Sequence, residues 1–142
     1  MKKEWVLVAD GSRAKILKRE NHSLVHAFPT YHADQMMNPI DKDSKISKVK
    51  ESHEITRHAY SPHEEYKDAE KKEFIRKISD IINRNLKEYD CLVLIAPAER
   101  LGEIRGYLQS SVKEKIRREI NKDLVKTPLD EVYKYATELP DS

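Results

Sequence analysis

Apolar residues group into short runs separated by turn signals, and the spacing changes character along the chain. Trp5-Val6-Leu7-Val8-Ala9 is a continuous apolar run with the length of a buried strand, and Asp10-Gly11-Ser12 supplies turn chemistry after it. Arg13-Ala14-Lys15-Ile16-Leu17-Lys18 alternates polar and apolar residues, which predicts a second strand pairing back on the first as a hairpin. A turn at Glu20-Asn21-His22-Ser23 leads into a third strand predicted over Leu24–Tyr31, ending around Pro29.

From about residue 32 to 61 neither period persists, and a polar loop of that length is functional or disordered. Ser61-Pro62-His63-Glu64 then carries a helix start, with Ser as cap, Pro at the first position and Glu closing a capping box. In the long helix that follows, Phe74, Ile75, Ile78, Ile81, Ile82 and Leu86 form an apolar stripe, while Lys71, Lys72, Arg76, Lys77 and Arg84 lie largely off it.

Cys91-Leu92-Val93-Leu94-Ile95-Ala96 is the most continuously apolar stretch, the pattern of a central strand covered on both faces. A helix is predicted over Ala98–Leu108, another turn of helix from Ser111 with Glu114 in capping-box position, and a short strand over Ile116–Ile120. Thr127-Pro128-Leu129-Asp130 opens a last helix buried through Leu129, Val132, Tyr133 and Ala136. The order β-β-β-α-β-α-β-α predicts an α/β fold of the ribonuclease-H-like type, three layers around a mixed sheet of about five strands.

At 142 residues, the chain has the size of one domain, and 1–142 is expected to be one unit. Charged residues (37%) balance apolar ones (38%), which suits a folded protein with a heavily solvated surface. The net charge of +2 neither demands nor excludes a polyanionic partner, because clustering of Lys and Arg decides that. Cys91 has no second cysteine, so no disulfide framework or cysteine zinc site can form within the chain, and a reducing, cytoplasmic setting is expected. No apolar stretch nears the roughly 18 residues of a membrane span, so membrane insertion is not expected. Neither a phosphate-binding Gly-rich loop nor a Cys/His metal pattern is present, so no cofactor and no metal is implied.

Several phrases resemble the recurrent motifs of the bacterial host-attachment protein family: Trp5-Val6-Leu7-Val8-Ala9-Asp10-Gly11-Ser12-Arg13-Ala14, Arg57-His58-Ala59, Leu92-Val93-Leu94-Ile95-Ala96-Pro97, Leu101-Gly102-Glu103-Ile104-Arg105 and Lys122-Asp123-Leu124. They occur in the family's order over nearly the whole chain. The resemblance implies kinship in fold with the middle domain of archaeal and eukaryotic class I release factors and Pelota, and hence the ribosome or a tRNA-like RNA as partner. Those release factors hydrolyse peptidyl-tRNA with a Gly-Gly-Gln tripeptide. This chain's glycines are Gly11, Gly102 and Gly106, so that catalysis is not available, and Thr56 stands where the pattern leads one to expect Gly before Arg57.

Three readings of the chemistry follow. As a non-catalytic RNA- or ribosome-binding module, the chain would use Arg57 as a planar donor fork and His58 as a proton-exchanging group on phosphate, with Arg13, Arg105 and Lys122 extending a positive face at the C-terminal edge of the sheet. As a metal-dependent nuclease it would use Asp10, Glu99 and Asp123, each just after a predicted strand; the plainer account of the three is a turn, a first helical turn and a loop. As a protein-interaction module it would act in attachment indirectly, through a partner the sequence does not identify.

Arg105 is also placed to form a structural ion pair with Glu99 or Asp123, and the run Lys113–Arg118 reads as a solvated helix face. Gly102 and Gly106, four residues apart, suggest close helix packing or a helix end. The RNA reading predicts salt-sensitive association weakened by Arg57→Ala. The nuclease reading predicts cleavage abolished by Asp10→Asn in a protein that stays folded.

Overall fold

The structure, a computed structural model, describes residues 2–36 and 62–138. Strand β1 (Glu4–Ala9) is buried at every position, because it lies inside the sheet with apolar layers on both faces. Asn21, with φ 58°, turns β2 (Arg13–Glu20) into β3 (Ser23–His26); Asn tolerates this left-handed conformation better than most side chains do. The short strand β4 (Tyr31–His32) and helix α1 (Ala33–Met36) complete the first segment.

The remaining elements are α2 (Pro62–Arg84), a 3₁₀ turn at Leu86–Glu88, β5 (Cys91–Ala96), α3 (Ala98–Tyr107), α4 (Ser110–Lys113), β6 (Ile116–Asn121) and α5 (Leu129–Glu138). The sheet runs β3-β2-β1-β5-β6, with β4 pairing the far part of β2. β1 is antiparallel to β2 and parallel to β5, which is parallel to β6. The ribonuclease-H-like three-layer arrangement is thus present, with six strands rather than about five.

One apolar layer joins Trp5, Leu7, Ile16, Leu92 and Leu94 to Phe74, Ile75, Ile78 and Ile82 of α2 and to Leu101 and Ile104 of α3. The other joins Val6, Val8, Leu17, Val93, Ile95 and Ile120 to Val132 and Ala136 of α5. Alternation along β1 and β5 feeds both layers, so a one-residue slip of either strand would exchange its two faces.

Several expectations are corrected. The third strand stops at His26, because Pro29 has no N–H for a ladder and Phe28 turns its ring edge-on to Trp5 at 5.9 Å; Tyr31 begins a separate strand. The polar stretch expected from residue 32 holds structure as far as Met36, which packs against the first layer; the remainder, 37–61, lies outside the described residues, as does the Ser61 cap. Helix α4 starts at Ser110 with Gln109 as its cap, and the Gln109 N–H donates to Asn83 Oδ1 at 2.9 Å, so a side chain of α2 does what the Ser111–Glu114 box was expected to do. A Cβ added at Gly102 or Gly106 would meet nothing within 4 Å, so neither glycine marks a close helix approach, whereas the helix end expected near Tyr107 is found there, one residue after Gly106.

The run Lys113–Arg118 is not a helix face. Lys115 donates to the carbonyls of Leu86 (2.8 Å) and Tyr89 (2.7 Å), closing the end of the 3₁₀ turn, and Arg117 and Arg118 lie on β6. Between Leu92↔Ile116 and Val93↔Arg118 the pairing slips by one residue. This bulge lets Ile116 face the first layer and Ile120 the second, although the two are four residues apart.

Tyr89 is buried beside Trp5, with ring centroids 5.0 Å apart, and its hydroxyl donates to the Ile82 carbonyl at 2.9 Å. Burial pushes its hydroxyl from the ordinary 10.0 up to about 12. The folded state therefore favours the neutral phenol, a contribution complete below pH 10.0 and lost as pH rises towards about 12. Tyr89→Phe is expected to cost about 1 kcal/mol near neutral pH and to flatten the alkaline decline, as read by urea unfolding in the two ranges. An unchanged alkaline decline would assign that titration to other groups.

Candidate nucleic-acid interface

The strands β1, β5 and β6 are parallel, so their C-terminal ends share one edge, the place where α/β sheets hold ligands. At the end of β1, Asp10 builds its own turn: Oδ1 accepts from the backbone N–H of Ser12 (2.7 Å) and of Arg13 (2.8 Å), while the Asp10 N–H donates to the Arg13 carbonyl (3.0 Å). Gly11 at the tip leaves room for Lys71 of α2. A Cβ there would lie 2.9 Å from Lys71 Cδ, so the stem of this lysine crosses the turn and brings an exposed ammonium to the edge. The helical pattern places Lys71 only off the apolar stripe, since nothing local links residue 71 to residue 11.

After β5, Pro97 caps α3, and Glu99 in the first turn is favoured there by the helix dipole. Arg100, 6% exposed, pairs with Glu103 at 2.7 Å and Glu99 at 3.3 Å, so this buried cation is neutralised within its own helix. After β6, Lys122 lies over the Tyr135 ring at 5.6 Å with the rest of its surface exposed, and Asp123 is exposed beside it. Asp10, Glu99 and Asp123 thus follow neighbouring strands, yet among the described residues no three His, Cys, Asp or Glu side chains are grouped to hold a metal.

Arg105 does not join this edge. The helix α3 runs back from it, and seven residues on, at about 1.5 Å each, Arg105 meets Glu119, with Nε to Oε2 at 3.1 Å. Glu119 pairs with Leu94 inside the β5–β6 ladder, so the partner is neither Glu99 nor Asp123. Its carboxylate holds the exposed guanidinium still more firmly in the charged form. Arg57 and His58 lie outside the described residues. Of the expected basic positions, the structure brings Arg13 and Lys122 to the C-terminal edge and adds Lys71.

The opposite edge holds a feature absent from the sequence reading. Glu4, its side chain 7% exposed, lies between two guanidinium groups: Arg19 Nη1 is 3.2 Å from Oε1, and Arg117 bonds Oε2 through Nε at 3.2 Å and through Nη2. The triad crosses β2, β1 and β6, and the bulge in β6 lies next to Arg117. Arg19 also donates to the Tyr133 hydroxyl, and Arg117 to the Ala136 carbonyl, so the triad seats α5 on the sheet. Cys91, paired with Glu4 across β1 and β5, has its thiol pushed up by burial and by the Glu4 charge, with Arg117 pulling the other way. A cleft of about 650 Å³ opens beside this cluster, lined by Lys2, Asn21, His22 and Thr137 among others. Most of the guanidinium donors are already spent on protein acceptors, which marks the cluster as a structural tie.

Residues 5–135 match the model of a protein family described as required for attachment to host cells. The chain belongs to this family. An uncharacterised protein of Rickettsia prowazekii (strain Madrid E) is 35% identical over 77 residues, which cover 51% of this chain and 51% of that protein, so the alignment spans about half of the curated relative. Among solved structures, an archaeal translation termination factor superposes with a TM-score of 0.59 at 11% identity, over 98% of this chain and 35% of that one. The likeness establishes a shared fold, and the host-attachment family chain accounts for about a third of the termination factor's length. Among the described residues, no helix is long and apolar enough to cross a membrane.

Glu4→Ala is expected to lower stability by about 2 kcal/mol in thermal or urea unfolding. That is below the roughly 3–5 kcal/mol of a fully buried pair, because Arg19 and Arg117 stay accessible to water. Glu4→Gln, which keeps the volume, separates lost charge from lost packing. A change within noise for both would reduce the triad to an ordinary surface pair.

Proposed function

We propose that this host-attachment family protein is a non-catalytic RNA-binding module that works in the cytoplasm in association with the ribosome. The observation that carries the reading is the fold shared with a translation termination factor, in a chain without the Gly-Gly-Gln tripeptide. The chemistry of the C-terminal edge supports it: Arg13, Lys71 and Lys122 come from three separate elements to the edge where α/β folds bind ligands, and none of them is joined to a carboxylate by an ion pair among the described residues. Arg57 and His58 belong to the same proposal on the strength of the family motif. The nuclease reading has no comparable support, since its carboxylates are not grouped for a metal. An attachment phenotype then arises through what the RNA partner does in the cell rather than through surface adhesion.

Sedimentation of the tagged protein with ribosomes of its own host tests this. Co-sedimentation is expected at about 50 mM salt, with a fall of at least tenfold by about 200 mM and loss after ribonuclease. Lys71→Ala with Lys122→Ala is expected to weaken it without changing the unfolding midpoint. Association that survives both salt and ribonuclease would replace the RNA reading with a protein-interaction module, and absence of association would remove the ribosome from it.

A further inference from the structure

The sheet face on the α5 side carries a cationic cluster that shares only Arg13 with the edge residues. Along β2, alternate residues point to one face; Val8 of the α5-side layer pairs with Lys15 and Val6 with Leu17, so Arg13, Lys15 and Leu17 share that face. His32 of β4 is the cross-strand partner of Arg13, and His26 of β3 is the partner of Leu17, which places both imidazoles on the same side. Arg13, Lys15 and His32 are partly exposed and His26 is exposed.

The four side chains thus form a lattice across β2, β3 and β4, with His32 opposite Arg13 and His26 opposite Leu17. Neighbours along β2 are about 6.6 Å apart and partners across strands about 5 Å. No ion pair or side-chain hydrogen bond joins any of the four among the described residues. The carboxylates nearest in sequence and on the covering helix are otherwise placed: Asp10 accepts from the backbone of its own turn, and Asp34, Asp130 and Glu131 are exposed without an ion pair to the four. Several cations elsewhere on the surface do have carboxylate partners, as Lys72 with Asp68, Arg76 with Glu73, Arg84 with Asp80 and Arg105 with Glu119 show. An unmatched cationic pair beside two planar imidazoles is complementary to a polyanion that also presents flat rings.

We infer that this face binds a single-stranded RNA segment, with Arg13 and Lys15 on successive phosphates and His26 and His32 stacking on or hydrogen bonding to unpaired bases. The inference rests on the RNA-binding reading and names the surface and the strandedness of the partner. A flat sheet with rings spaced along it suits unstacked bases, whereas an RNA duplex shows a protein chiefly its backbone and hides its ring faces. The lattice meets the C-terminal edge at Arg13, so a strand lying on it continues towards Lys71.

The test is fluorescence anisotropy with a labelled oligouridylate of about twelve nucleotides and with an RNA duplex of equal length. The wild-type protein is expected to prefer the single strand. Lys15→Ala with His26→Ala is expected to weaken single-strand binding at least about tenfold, and Arg13→Gln with Lys15→Gln to lower the slope of log affinity against log salt by about 1.4, at about 0.7 per phosphate contact. Lys15→Gln keeps the side-chain stem, so a retained unfolding midpoint separates lost contact from lost fold. If the lattice variants bind as wild type while Lys71→Ala with Lys122→Ala weakens binding, this surface is wrong and the RNA-binding reading stands. If the duplex binds equally well, the stacking assignment falls, and if the wild type binds neither RNA, the reading and this surface fall together.

Discussion

The parallel pairing of β1 with β5 is the constraint on which the other elements depend. Five registered pairs from Glu4↔Cys91 to Val8↔Ile95 place side by side two buried strands that are apolar apart from Glu4. Neither can face water, so each needs cover on both sides. A parallel pair also needs a long crossover, and α2 supplies it while its Phe74, Ile75, Ile78 and Ile82 stripe closes the first layer. The second layer is left to α5, at the end of the chain. The hairpin partner β2 and the bulged strand β6 bound this pair, and the ends of the strands define the two edges where charge collects.

The two edges use charge differently. At the N-terminal edge, Glu4 lies within the buried strand and is tolerated because Arg19 and Arg117 reach it from both sides. The same guanidinium groups hold the Tyr133 hydroxyl and the Ala136 carbonyl, so removal of the carboxylate would loosen both the ion pair and the seating of α5. At the C-terminal edge and on the adjoining sheet face, Arg13, Lys15, Lys71 and Lys122 are left without carboxylate partners among the described residues. Four cations without a carboxylate partner thus lie together in this part of the surface.

The chain shares its fold with part of a translation termination factor. Both the apolar frame and the strand order are compatible with the two proteins at 11% identity, because a layer needs apolar volume more than particular residues. The chemistry resides in side chains that the frame does not prescribe. In the proposed RNA-binding role those would be cations and imidazoles rather than a glycine-rich tripeptide.

Much of this fold was legible in the chain. The continuous runs Trp5–Ala9 and Cys91–Ala96 announce strands buried on both faces, the alternation over Arg13–Lys18 announces a half-buried partner, and the three- and four-residue spacing from Phe74 to Ile82 announces the helix that covers them. Each signal is local, since the period of a strand or helix is written in consecutive residues. Strand pairing decided the rest. The Glu4–Arg19–Arg117 triad, the meeting of Arg105 with Glu119 instead of Glu99 or Asp123, the Lys71 stem over Gly11 and the Asn83 side chain serving α4 all join residues far apart in the chain. No short-range pattern encodes such contacts, because they follow from register, bulge and helix direction, which arise only when the layers close. The family and the apolar frame were therefore properties of the sequence, while the grouping of charge belongs to the tertiary structure.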